Sequence, residues 1–135
     1  MEPSRADRYK QKIAYIFNCI SEIERAMPEP EGIVLKGIYY DLSSAIDAAM
    51  DMIAMLCKDL GIMPRGDYEN IESLRARNIL SADLAERLAN CNGLRNVLVH
   101  QYNGINKDLV LESAQPVERD LREFVKVVEE HITKH

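Results

Sequence analysis

The side chains best suited to chemistry lie together in one stretch, Arg95-Asn96-Val97-Leu98-Val99-His100-Gln101-Tyr102. An imidazole has an unperturbed pKa of about 6.5, so it can take up or release a proton near neutral pH. A guanidinium is always charged, and its planar fork matches the oxygens of a phosphate. Arg95 and His100 therefore suit a reaction at phosphorus.

The helical wheel limits how these groups could meet. On one continuous helix Arg95 and Tyr102 lie within about 20° of the same face, whereas Arg95 and His100 lie about 140° apart. The two could contact one phosphate only if the helix unwinds near His100 or if a second chain contributes. The following Asn103-Gly104 favours such unwinding. Without further context, an Arg, a His and a Tyr on one helix are more often structural than catalytic.

The rest of the chain predicts helices. Apolar residues recur every three or four positions, as on one face of a helix, and no segment sustains the alternation of a strand. The predicted helices run from about Ser4 to Met27, Val34 to Leu60, Asn70 to Arg77, Ala82 to Gln101, and onward from Pro116, which is expected in a first turn. Gly61 is a predicted C-cap and Ser81 a predicted N-cap. We expect an all-α antiparallel bundle of four to five helices, in one domain covering residues 1–135.

The composition of the chain argues against several classes of protein and kinds of site. The chain has 135 residues, of which 47% are hydrophobic and 29% charged, so it is globular and not disordered. Its net charge of −5 argues against a broad basic surface for nucleic acid, so any site for a polyanion must be local. The three cysteines, without a CxxC pair, disfavour disulfides and zinc and are expected to fill the core. With no signal peptide or membrane span evident, we expect a cytoplasmic protein.

The exact spacing R-x4-H-x-Y, formed by Arg95, His100 and Tyr102, resembles the signature of the HEPN superfamily of small helical proteins. The chain is more specifically similar to HepT-type toxins, which partner a minimal nucleotidyltransferase antitoxin. The order of the helices, the Ala-rich and Ile-rich second helix around 44–53 and the run 95–106 before the last helix extend the resemblance over most of the chain.

The resemblance implies a homodimer in which two motifs face each other and form a metal-independent ribonuclease site that needs no cofactor. It implies Arg95 and His100 as the catalytic residues, with Asn96 and Tyr102 in support. The RNA 2′-OH must lose a proton as it attacks, and the leaving oxygen must gain one. One His cannot easily do both in one step, so a second His100 supplies a physical reason for the dimer. The alternative is a non-catalytic helical module that binds nucleotide or the nucleotidyltransferase.

Tyr102 has three interpretations. It could be an amphipathic residue at the edge of the core, a donor that orients phosphate, or, as the resemblance suggests, the acceptor of an AMP group transferred by the antitoxin. An attached AMP would place charge and bulk beside Arg95 and His100 and could block the entry of RNA.

Other candidates are weaker. Asp47 and Asp51, four residues apart, could face a site or bind a cation, but a solvated helix face is the favoured interpretation. His131 and His135 share that spacing near the C-terminus, where fraying and exposure allow adventitious metal binding at most. Four cations could surround the site, although most are expected to be ordinary surface charges: Arg75, Arg77, Lys107 and Arg119.

Overall fold

The computed structural model describes residues 1–27, 32–100 and 106–134, and within these ranges it contains five α-helices and no strand. The helices are α1 (Pro3–Ala26), α2 (Gly32–Asp59), α3 (Asp67–Ala76), α4 (Ala82–Val99) and α5 (Lys107–Lys134). The expected all-α bundle is therefore confirmed. In these ranges no helix carries an apolar stretch long enough to cross a bilayer.

Helix α2 is the centre of the bundle and packs against each of the other four helices. Fifteen of its residues are buried, including three alanines, Ala45, Ala48 and Ala49, whose small side chains let neighbouring helices approach closely. The main chain of Asn106, just before α5, donates to the hydroxyl of Tyr39 near the start of α2. Arg95, late in α4, meets Asp47 in the middle of α2. The C-terminal end of α4 therefore points toward the N-terminal part of α2.

Two predicted helix boundaries are confirmed in detail. The hydroxyl of Ser81 accepts from the main-chain N–H of Leu84, which caps the start of α4. Beyond α2, Gly61 has a φ of 77°, and the next N–H, from Ile62, donates to the carbonyl of Cys57 at 2.8 Å. This left-handed ending suits glycine because glycine has no Cβ to clash.

The predicted start of the last helix is wrong. Pro116 was expected in the first turn, but α5 begins at Lys107, so the proline lies well inside the helix. Proline removes one main-chain hydrogen bond, to the carbonyl of Glu112. Both Pro116 and Glu112 are exposed, so water can satisfy that carbonyl. Val110 and Ala114 are buried and extend the apolar stripe of α5 toward its true beginning.

The expectation that His131 is exposed at a frayed end is also wrong, because this residue is buried. Its Nε2 lies 3.4 Å from Oδ2 of Asp59 at the end of α2. The same carboxylate accepts from the hydroxyl of Tyr9 at 2.6 Å and from Nε of Arg5 at 2.8 Å. The cluster joins α1, α2 and α5 at one end of the bundle, and it explains why an imidazole is buried there. His135 lies outside the described residues.

The three cysteines are buried and free, as expected for core residues. Burial raises the pKa of the Cys19 thiol to about 11 and that of the Cys91 thiol to about 12. Both are therefore protonated at neutral pH and unsuited to act as nucleophiles.

A buried carboxyl between α1 and α2 makes stability depend on pH. Burial raises the pKa of Asp41 to about 6, and the neighbouring carboxyl of Glu22 adds to the rise. The unfolded chain keeps a pKa of about 3.9 at this group, so the folded state binds more protons and stability falls as the pH rises from about 4 to above 6. We expect Asp41→Asn to raise Tm by a few degrees at pH 8 and to change it little at pH 4. Thermal unfolding followed by circular dichroism checks this, and a lower Tm at pH 8 would show that the ionised carboxylate is stabilising.

Candidate active site around Arg95 and His100

Arg95 lies in the last turns of α4, with its side chain 30% exposed. Its Nε donates to Oδ1 of Asp47 on α2 at 2.5 Å, and its Nη1 donates to Oδ1 of Asn96 at 2.9 Å. Two acceptors from two helices therefore set the direction of the guanidinium plane. None of its hydrogen bonds to described residues uses Nη2, so this nitrogen can donate to another acceptor, such as a phosphate oxygen.

The position of Asp47 corrects the expectation of a solvated helix face. The residue is only half-buried, but its carboxylate forms an ion pair with the one arginine in the motif. Asp51, one turn later, pairs with Lys12 of α1 at 3.1 Å. The role of Asp47 could not be predicted from the spacing of residues, because its partner Arg95 is 48 residues away in the sequence. Only the packing of α2 against α4 brings the two side chains together.

His100 is exposed and occupies the C-cap of α4. Its main-chain N–H donates to the carbonyl of Val97 at 3.3 Å, and helical geometry ends at Val99, two residues before the predicted end. The 140° offset expected on a continuous helix therefore does not determine where the imidazole points. Tyr102 and the Asn103-Gly104 pair lie outside the described residues.

Exposed apolar side chains surround the motif. Val97 and Val99 precede His100 in the last turn of α4 and are 46% and 44% exposed. Tyr40, 68% exposed, lies on α2 two turns before Asp47, on the part of α2 toward which the end of α4 points. Apolar residues exposed beside a polar site are typical of a surface that another molecule covers.

The four cations considered around the site differ in their surroundings. Arg75 forms an ion pair with Glu72, and Arg119 forms one with Asp120, so each has an acidic neighbour. Arg77 is the C-cap of α3, and Lys107 is the first residue of α5. The described residues contain no group of three or more His, Cys, Asp or Glu arranged to hold a metal ion.

Comparison with known proteins identifies the family of this chain. Residues 10–128 match the family of HepT-like ribonucleases. An inferred RNase of Archaeoglobus fulgidus is 45% identical over 130 residues, which cover 96% of this chain and 97% of the relative. The mRNA nuclease HepT of Shewanella oneidensis is 26% identical over 124 residues, 87% of this chain and 92% of that protein.

Solved structures agree in fold. The tri-AMPylated HEPN toxin of Shewanella oneidensis, determined in complex with MNT antitoxin, superposes with a TM-score of 0.84 at 23% identity. The match covers 96% of this chain and 99% of the toxin. The likeness to that toxin shows that the helical bundle has the HEPN fold. The family match over most of the chain and the archaeal relative show that this protein belongs to the HepT-like ribonuclease family.

Proposed function

We propose that the protein is a metal-independent endoribonuclease and the toxin of a HEPN and nucleotidyltransferase pair. The observation that carries the proposal is the position of Arg95. Asp47 and Asn96 orient its guanidinium, which stays partly exposed to solvent. An exposed His100 follows five residues later. Residues 1–135 are proposed to form a single domain, in which the other four described helices pack against α2. The proposed site of action is the cytoplasm, with RNA as the substrate.

The proposed reaction uses charge stabilisation and proton transfer. Arg95 binds the scissile phosphate and stabilises the negative charge that builds up on its oxygens. One His100 takes the proton from the RNA 2′-OH as this oxygen bonds to phosphorus, and the P–O5′ bond breaks. A second His100 gives a proton to the leaving 5′ oxygen. The products are a 2′,3′-cyclic phosphate and a 5′-hydroxyl, and the proton that the second His100 gives up is matched by the one that the first His100 has gained.

A symmetric homodimer would supply the second imidazole. The exposed Val97, Val99 and Tyr40 beside the motif favour this face as the interface, because their burial would remove apolar surface from water. A two-fold axis near the end of α4 would bring both copies of His100 to one phosphodiester.

We also propose a minimal nucleotidyltransferase as the antitoxin partner. Support comes from the Shewanella oneidensis toxin, an AMPylated protein that was solved with its MNT antitoxin. In this chain Tyr102 is the proposed acceptor of AMP, since the motif puts its hydroxyl two residues after His100.

The test is RNA cleavage across a size-exclusion profile of the purified protein, in buffer containing EDTA. We expect the activity to elute with the dimer and to leave 2′,3′-cyclic phosphate ends, which are identified by mass spectrometry of the fragments. A monomer at micromolar concentration would contradict the composite site. Binding of RNA without any cleavage would instead favour the non-catalytic module.

A further inference from the structure

A cleft of about 400 Å³ opens between α1 and α2, beside the candidate active site. Its walls include the ring of Tyr15, the hydroxyl of Ser44 and the carboxylates of Asp47 and Asp51. Tyr15 is 41% exposed, so part of its side chain is open to a ligand in the cleft. Pockets of this volume commonly hold small molecules or parts of larger ligands.

Asp47 connects the cleft to the site. Its carboxylate lines the cleft, and the same carboxylate accepts from Nε of Arg95. A phosphate on the guanidinium of Arg95 would therefore be separated from the cleft by the length of one side chain. The nucleotide next to such a phosphate can reach the cleft with its base.

The chemistry of the walls suits a base better than a phosphate. The exposed ring of Tyr15 offers a face for stacking, which is a common way to hold unpaired bases. Lys12 also lines the cleft and pairs with Asp51 at 3.1 Å, but the side chain of Asp51 is 62% exposed, so its carboxylate can still accept from the exocyclic amino group of a base. Adenine, cytosine and guanine carry such a group, whereas uracil has none.

We propose that this cleft is a base-binding subsite, in which Tyr15 stacks on the nucleotide next to the scissile phosphate and Asp51 selects an amino-bearing base over uracil. The proposal rests on the ribonuclease function proposed above, since that function supplies the RNA. It assigns Tyr15 and Asp51 to specificity and leaves the chemistry to Arg95 and His100.

The test uses a single-stranded RNA library with a randomised centre, and the ends of the fragments are sequenced. We expect uracil to be depleted about tenfold at one position next to the cut. Asp51→Asn replaces an acceptor with an amide that can also donate to uracil, so the depletion should fall below about twofold. Tyr15→Ala should raise KM about tenfold while kcat is kept, and Tyr15→Phe, which retains the ring, should recover most of that loss.

The matched control is Asp83→Asn, because Asp83 is also an exposed, ion-paired aspartate but lies at the opposite end of α4 from His100. This variant should keep the uracil depletion. Equal cleavage next to all four bases by wild type, or an unchanged preference in Asp51→Asn, would overturn the subsite.

A second measurement separates this inference from the ribonuclease function. Uncleavable 2′-O-methyl tetranucleotides of adenine, cytosine, guanine or uracil are titrated by fluorescence anisotropy. Weaker binding of the uracil oligomer, lost in Asp51→Asn, supports the subsite even if no RNA is cleaved. Equal binding of all four overturns it even if cleavage is found.

Discussion

Replacing His100 with Ala should lower the rate of RNA cleavage by at least about a hundredfold, because the proposed proton transfers lose their imidazole. Arg95→Ala should cost roughly 10²- to 10³-fold, the effect of losing a group that stabilises transition-state charge. Arg95→Lys should recover only part of this loss, since an ammonium lacks the planar fork, and its single nitrogen would have to serve Asp47, Asn96 and the phosphate together. Rates with a fluorescent RNA give the three values.

The fold should survive these substitutions. His100 is exposed at the end of α4, and the Arg95 side chain is only partly buried, so neither fills the core. The matched control is Arg122→Ala, which removes an exposed arginine paired with Glu24 on the outer part of the bundle. We expect it to cleave like wild type. Normal cleavage by His100→Ala, or loss of its helical circular dichroism, would make the catalytic assignment wrong.

Tyr102→Phe should escape silencing by the nucleotidyltransferase. The substitution keeps the ring and removes the oxygen that would accept AMP, so the variant should still cleave RNA after incubation with the partner and ATP. In wild type, an AMP on Tyr102 would bring phosphate charge toward Arg95 and compete with RNA for the guanidinium. Intact mass spectrometry, read beside the cleavage assay, measures the modification directly.

The control for this experiment is Tyr68→Phe, because Tyr68 is also an exposed tyrosine but lies on α3, outside the proposed dimer interface. That variant should gain the same mass as wild type and be silenced equally. An identical mass gain in wild type and Tyr102→Phe would exclude Tyr102 as the acceptor.

The helices themselves could be predicted from the sequence because their determinants are local. Apolar side chains three and four residues apart fall on one face, as Ile16, Ile20 and Ile23 do on the buried side of α1. The Ser81 cap and the Gly61 ending also depend on neighbouring residues only. The start of α5 was predicted wrongly because the free-energy cost of a proline inside a helix depends on its surroundings. Water must reach the carbonyl that loses its hydrogen bond, and only the packed structure decides whether it can.

The motif was visible in the sequence as Arg95, His100 and Tyr102, because a spacing within one segment needs no tertiary information. The sequence did not reveal that Asp47 holds Arg95, or that His131 is buried against Asp59. Both pairs join residues far apart in the chain, and such a polar contact forms only where packed helices bring the two side chains within a few ångströms. Residue types and local spacing thus determined the helices and the candidate chemistry, whereas the packing around α2 decided which carboxylate orients the arginine and which cleft lies beside it.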